Sequence, residues 1–357
     1  MFSIEQIKLY DNYIFTQEIK ENEKIVTISC HDDSNECIHI YNYNLVNNVL
    51  YPIWCDQKRW DFLNNNIQYN TSDIVLITYP KSGTTWLEQI LILMKYGTHT
   101  YDKLNPSVRN NFDLSNNIGK IHIEGSVEQT NIVYDSQEIM NNIPLEDFNK
   151  IPFRIIKTHA AYETLLCKEQ LFTNKNKMII VTRNPLDSAV SGYYHYNDIQ
   201  KYAHKKKYNT VLENHISFKN WAMLWLNGKV SFGSWFDWTK KWRDIYLQQL
   251  VKEKEKQEEK HIHWIFYEDL KKNPMDELVK LNDFLDCQLS IDELKTIHSM
   301  TTFQNMKEQA KTRIVDELNS DIHFRKGIVG DWKNYFNEEL LEMYTTKLQA
   351  MDIQYTM

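Results

Sequence analysis

DIVLITYPKSGTTWLEQILILM, residues 73–94, carries the sharpest change of character in the chain. An apolar run stops abruptly at Tyr79-Pro80-Lys81-Ser82-Gly83-Thr84-Thr85-Trp86, and an amphipathic segment follows at once. That order predicts a strand, a tight loop and a helix beginning near Gly83 or Thr84. Such a helix turns its unpaired N–H groups and positive dipole end toward the loop. Gly83 lets the backbone approach an anion with no Cβ in the way. Ser82, Thr84 and Thr85 add hydroxyl donors, and Lys81 adds a full charge. The loop is P-loop-like but departs from the triphosphate pattern G-x-x-x-x-G-K-[ST]: it has one glycine, and its lysine comes first. The bland alternative is a Ser/Thr-capped helix with Lys81 merely solvated. Five donor residues clustered at one strand end favour the anion.

Three more apolar segments show the same shape. They are FRIIKTHA (153–160), KMIIVTRNPLDSAVSGYYHY (177–196) and HIHWIFYEDL (261–270). Each ends in charged or hydroxylated residues: Lys157-Thr158-His159, Thr182-Arg183, and Tyr267-Glu268-Asp269. Strands alternating with helical stretches predict an α/β fold, a single large domain with a central parallel β-sheet flanked by helices. In such sheets ligands bind beyond the carboxyl ends of the strands, where these clusters fall. EKIVTISC and CIHIYNYNLV, within the first 50 residues, are short and alternating, and predict a small hairpin or edge strands. The asparagine-rich region 101–150 has no strong period and predicts irregular connections with one short helix. KEKEKQEEK (252–260) reads as an exposed helix end or surface loop. His261 and His263 alternate along a strand, which predicts a solvent-facing side.

Composition sets limits. With 357 residues, 42% hydrophobic and 13% aromatic, the chain can bury a large core, and ten Trp and 21 Tyr argue against disorder. A net charge of −7 argues against a general grip on nucleic acid, so any anion site must be a local cluster of cations. Cys30, Cys37, Cys55, Cys167 and Cys287 are odd in number and scattered, which predicts reduced thiols and a cytoplasmic protein. The N-terminus lacks the pattern of a signal peptide, and no run of about 18 apolar residues predicts a membrane span. Cys30-His31 with Cys37-Ile38-His39 fits no common zinc spacing, so no metal is expected.

TYPKSGTTW resembles the signature loop of the cytosolic sulfotransferases, enzymes that move a sulfuryl group from 3′-phosphoadenosine 5′-phosphosulfate (PAPS) to a hydroxyl or amine. The rest of the chain repeats the resemblance in order. KTHA matches a lysine-threonine/serine-histidine step on a later strand. Arg183-Asn184-Pro185 with Ser191 eight residues after the arginine matches a second motif. YEDL (267–270), the Thr-x-Phe of Thr301-Thr302-Phe303, and RKGIVGDWK (325–333) match three more, and VSFGSWFDW (230–238) is also similar. The likeness runs from about residue 50 to the C-terminus. It implies an N-terminal extension over residues 1–48 and a sulfotransferase domain over 49–357.

The resemblance also implies roles. Lys81, Ser82, Gly83, Thr84 and Thr85 hold the donor's 5′ end. Arg183, Ser191, Arg325, Lys326 and Gly327 hold its 3′-phosphate, a task that suits arginine's planar fork. Trp86 and Phe303 sandwich adenine, although core packing is the commoner fate of an aromatic, and Tyr267 and Thr301 meet the base edge. His159 is the catalytic base, since a neutral imidazole with a pKa of about 6.5 can take a proton from an acceptor hydroxyl. Lys81 and Lys157 meet the charge developing on the bridging oxygen. Adenosine 3′,5′-bisphosphate (PAP) is the product. Tyr193, Tyr194 and His195 follow Ser191 and border the acceptor or pack in the core.

The chain departs from the family in two places. Ala160-Ala161 stand where the family often has Leu-Pro, which bears on the acceptor pocket. Asn337-Glu338 stand at the centre of the family's dimer segment between Lys333 and Glu342, so a monomer or a homodimer is open. A nucleotide kinase is disfavoured by the missing triphosphate loop. A silent nucleotide-binding protein is disfavoured by the intact Lys81, Lys157 and His159. The acceptor is expected to be a small molecule: a phenol, alcohol, steroid or amine.

Overall fold

The computed structural model describes residues 15–20, 25–31, 37–52, 55–100, 111–113, 118–122, 127–128, 143–144, 149, 154–208, 216–255, 259–313 and 324–353. These fall into two compact units. The first draws on Met1–Gln57, Asn184–Lys241 and Arg325–Met357, the second on Lys58–Arg183 and Trp242–Phe324.

The second unit carries a six-stranded sheet. Its strands are β5 (Ile74–Thr78), β6 (Asn111–Asp113), β7 (Ile118–His122), β10 (Ile155–Thr158), β11 (Lys177–Thr182) and β12 (Ile262–Phe266), in the order β12-β11-β5-β10-β7-β6. All neighbours pair parallel except β6 with β7. A short parallel pair, β8 (Val127–Glu128) with β9 (Ile143–Pro144), stands apart. The helices are α1 (Gln57–Asn66), α2 (Thr84–Tyr96), α3 (Lys168–Thr173), α7 (Tyr267–Lys272), α8 (Pro274–Leu285), α9 (Ile291–Met300) and α10 (Phe303–Arg313). Every residue of β5 and β10 is buried, the signature of a parallel strand covered on both faces. Helix α2 is buried continuously from Leu87 to Met94, a run apolar except for Glu88 and Gln89. Its leucines and isoleucines pack with Leu76, Ile179, Val181, Leu278 and Leu281 in one core cluster. At the amino ends of β5 and β10, buried Asp73 accepts from the Arg154 backbone N–H (3.1 Å) and from its Nε (3.0 Å). Helix α9 starts on a capping box between Ser290 and Glu293.

The first unit holds an antiparallel sheet of β1 (Phe15–Lys20), β2 (Ile25–His31), β3 (Cys37–Val46) and β4 (Val49–Pro52), in that order. Its helices are α4 (Pro185–Tyr208), α5 (Phe218–Leu226) and α11 (Glu338–Ala350); α6 (Trp235–Lys254) runs from this unit into the other. Trp221, Trp225, Trp235 and Phe236 are fully buried here. The Trp221 indole donates to the Ala189 carbonyl (2.8 Å), and the Tyr344 hydroxyl to that of Ala222 (2.8 Å). Helices α4 and α5 approach so closely at Gly192 that a Cβ there would lie 2.8 Å from Trp225.

The parallel sheet and four of its strands match the sequence reading. Region 101–150 differs, because β6 to β9 lie within it. Three of these strands have only two or three residues, the five of β7 (IGKIH) are interrupted by Gly119 and Lys120, and most of the region lies outside the described residues. The N-terminal hairpin is part of a four-stranded sheet. Cys30, His31, Cys37 and His39 lie on its paired strands β2 and β3, and their side chains are outside those described. The expectation of a solvent-facing His261 and His263 is wrong: they are 4% and 6% exposed. Helices cover this sheet, so alternation along β12 does not mark a wet face. His263 stacks on Phe284 at 5.1 Å. Burial, helped by Lys260 and Lys280, pushes its imidazole pKa down to about 4.

Candidate active site

From the end of β5 at Thr78 the chain turns through Tyr79–Gly83 into α2. Lys81 has a φ of 69° and Gly83 a φ of 99°, both left-handed. That conformation is uncommon outside glycine. At Lys81 it is braced by Arg183, whose Nη1 donates to the Lys81 carbonyl at 3.1 Å. At Gly83 a side chain would meet the Tyr267 ring, with Cβ 2.8 Å from Cδ2. No side chain caps the start of α2. The Ser82 hydroxyl and the Trp86 indole N–H are buried, and neither has a hydrogen-bond partner among the described residues. Buried donors without partners are rare, and here they cluster at one loop whose helix end favours anions.

His159 follows β10 directly. Its Nδ1 lies 2.7 Å from the Thr78 carbonyl oxygen and 3.1 Å from the Thr78 hydroxyl. A carbonyl only accepts, so Nδ1 carries the proton and Nε2 keeps its lone pair. The Thr78 hydroxyl is also 2.7 Å from that of Thr84, which links the histidine to the loop. Lys157, on β10 itself, is buried with its Nζ 3.1 Å from both carboxylate oxygens of Glu88 on α2.

Around the loop lies a chain of stacked groups. The Arg183 guanidinium sits 4.5 Å over the Tyr267 ring, and Tyr267 meets Trp86 edge-on at 5.6 Å. Trp86 and Phe303 both pack against Met306, Ala310 and Phe324. The Lys271 ammonium lies 5.7 Å from the Trp86 ring and 6.0 Å from that of Phe303. Burial, and then Arg183, lower its pKa. Thr301 is buried, and its hydroxyl donates to the Ile297 carbonyl at 2.8 Å.

The remaining residues named from the sequence lie in the first unit. Ser191 is in the second turn of α4. Arg325 and Lys326 both reach Asp331, at 2.5 and 2.8 Å. Burial pushes the Asp331 carboxyl up, but its hydrogen bonds from Lys326, Arg325 and Asn334 outweigh this and hold it below the usual range. The loop is tied to α4 twice, since Asp187 accepts from the Gly330 N–H (2.7 Å) and the Trp332 N–H (3.0 Å). Arg325 also stacks on Tyr194 at 4.6 Å. Asp187, Ser191 and Tyr194 are spaced four and three residues apart, so they share the face of α4 that meets this loop.

Residues 71–351 match the family model described as a sulfotransferase domain. The chain belongs to the sulfotransferase family. It is 31% identical over 318 residues to sulfotransferase 1B1 of Mus musculus, covering 85% of this chain and 92% of the relative. Sulfotransferase 1E1 of Mus musculus is also 31% identical, over 76% of this chain and 80% of the relative. The crystal structure of mouse sulfotransferase SULT7A1 complexed with PAP superposes with a TM-score of 0.59 at 25% identity, covering 86% of this chain and 94% of that one.

Sequence reasoning missed several residues that shape this sulfotransferase. Thr78 orients His159, Glu88 pairs with Lys157, and Asp187 and Asp331 hold the 325–332 loop. Lys271, four residues after Tyr267, faces the two aromatics. Thr78, Asp187 and Asp331 lie inside the quoted motifs, and Glu88 and Lys271 within two residues of one, but a motif does not say which distant residue each will meet. The Asn337 that departs from the family's dimer segment caps α11, accepting from the Leu340 N–H at 2.9 Å.

Proposed function

We propose that this sulfotransferase moves the sulfuryl group of PAPS to a hydroxyl or amine of a small-molecule acceptor, with His159 as general base. The observation that carries the reading is the 2.7 Å contact from His159 Nδ1 to the Thr78 carbonyl, which leaves Nε2 as the proton acceptor. In the proposed step Nε2 takes the acceptor's proton as its oxygen or nitrogen bonds to sulfur. The bond from sulfur to the bridging oxygen breaks, and PAP leaves. Lys81 and Lys157 meet the negative charge that gathers on that oxygen, and fixed charges of this kind are commonly the largest catalytic effect.

The residues fit such a donor. The unpartnered Ser82 hydroxyl and the uncapped start of α2 suit the 5′-phosphosulfate, with Gly83, Thr84 and Thr85 beside them. Trp86 and Phe303, packed on one cluster, suit adenine, with Tyr267 and Thr301 at its edge. Arg183 suits the 3′-phosphate. Ser191, Arg325, Lys326 and Gly327 join it on the strength of the family pattern, and the PAP complex of mouse SULT7A1 supports the ligand class. The chemistry calls for no metal, and we place the enzyme in the cytoplasm as a monomer or homodimer. The first 48 residues are proposed as an extension to a sulfotransferase domain spanning 49–357.

The test begins with a radiolabelled donor and a panel of phenols, alcohols, steroids and amines. With the best acceptor, His159→Ala should lower kcat at least about a hundredfold while PAP binds nearly as before. A variant that keeps a tenth of the wild-type rate removes His159 from the role of base. Calorimetric titration with PAP and with ATP and Mg²⁺ checks the donor, since tight binding of ATP alone would sink the reading.

A further inference from the structure

Glu88 is a carboxylate in a buried stretch of α2, between Leu87 and Gln89 and ahead of the apolar run from Ile90 to Met94. It is 1% exposed. A carboxylate so deeply buried is costly unless it is paired. Its partner is Lys157, 8% exposed, whose Nζ faces both carboxylate oxygens at 3.1 Å. Replacing such a pair by apolar side chains is often neutral or stabilising, so stability alone gives little reason for it. The pair spans the two elements that frame the reacting centre. Glu88 lies one turn beyond Thr84 on the helix that opens from the anion loop, and Lys157 lies two residues before His159 on β10.

We propose that Glu88 is a positioning residue for Lys157, holding the ammonium at the carboxyl end of β10 where it meets the transferring sulfuryl group. This rests on the sulfuryl-transfer reading of the site, but not on His159 as the base. An ammonium has three donors and gives one to Glu88 Oε2, so donors remain for the donor substrate. A lysine stem is flexible, and an unanchored ammonium would sample many positions of which few are productive. The paired charges also cancel. Lys81 then supplies the net positive charge that draws in the anion, and Lys157 directs it. Loss of Lys157 alone would leave a bare buried carboxylate close to an anionic ligand.

The test is a cycle of Glu88→Gln, Lys157→Met and the double variant, with kcat, KM for PAPS and PAP affinity measured for each, and folding checked by circular dichroism. The proposal expects Glu88→Gln to lower kcat at least about tenfold with PAP affinity within about threefold. The double variant should be no slower than Lys157→Met, because both changes remove one function. It should bind PAP more tightly than Lys157→Met, because the bare carboxylate is gone. Glu88→Asp, which keeps the charge on a shorter arm, should recover part of the rate and serves as the test where Glu88→Gln does not fold. Wild-type kcat in Glu88→Gln, or single effects that multiply in the double variant, overturns the proposal. A wild-type enzyme that transfers no sulfuryl group instead overturns the functional reading beneath it.

Discussion

Gly83→Ala tests the construction of the loop between β5 and α2, the proposed anion site, at a single atom. The added Cβ would lie 2.8 Å from Tyr267 Cδ2 and 3.2 Å from Cε2, so the ring must move or the loop must open. The backbone there holds a φ of 99°, and an L side chain in left-handed geometry costs about 1–2 kcal/mol. Tyr267 cannot shift without cost, because its ring lies under Arg183 at 4.5 Å and against Trp86 at 5.6 Å. Losing the cation–π and edge contacts costs roughly another 1–2 kcal/mol. The sum, about 2–4 kcal/mol, should be divided between folding and ligand binding. We expect a lower urea midpoint and PAP affinity weakened at least about tenfold, which corresponds to about 1.4 kcal/mol. Urea unfolding followed by tryptophan fluorescence and calorimetric titration with PAP measure the two parts. In Gly83→Ala/Tyr267→Ala the clash is gone, so the double variant should lose less than the two single losses combined. An unchanged urea midpoint with PAP affinity within twofold of wild type in Gly83→Ala would refute the reasoning.

Two further outcomes follow from charged and titratable groups. His263 is neutral when buried, with its pKa pushed down to about 4 from an unfolded value of 6.5. The unfolded chain therefore binds the extra proton first. This stability is fully present above about pH 6.5 and is lost as pH falls through 4, by about 3 kcal/mol in all. His263→Phe, which keeps a ring on Phe284, should flatten the loss of urea stability between pH 6.5 and 4; an unchanged slope would count against the assignment. Asp331→Asn should let Arg325 and Lys326 swing from their set positions, weakening PAP about tenfold by calorimetry while leaving the far-ultraviolet spectrum unchanged. Equal affinity in the variant would show that these two cations do not serve the ligand.

The main features of the sheet were legible because parallel strands buried on both faces are written as near-continuous apolar runs. IVLIT, MIIVT and IHWIF each stand out and end in polar clusters. The loop after β5 was legible for a related reason: the apolar run stops abruptly, and a left-handed turn against a ring demands glycine. Strands β6, β8 and β9 escaped because two or three residues carry no pattern of their own, and β7 because IGKIH is interrupted by a glycine and a lysine. His261 and His263 were misread because alternation gives a period and leaves open what covers each face.

By itself the sequence determined the succession of strand, loop and helix, the place of the cations and hydroxyls along it, and the family to which the motifs belong. These are local properties, since periodicity, glycine tolerance and donor chemistry act within a few residues. Tertiary structure alone decided that Thr78 fixes the tautomer of His159, that Glu88 lies against Lys157, and that Asp187 and Asp331 hold the loop bearing Arg325. Each of the first two pairings joins residues about 70 to 80 positions apart, and Asp187 reaches Gly330 across 143. Chain closure over such lengths is set by how buried elements pack together, and no single segment carries a record of it.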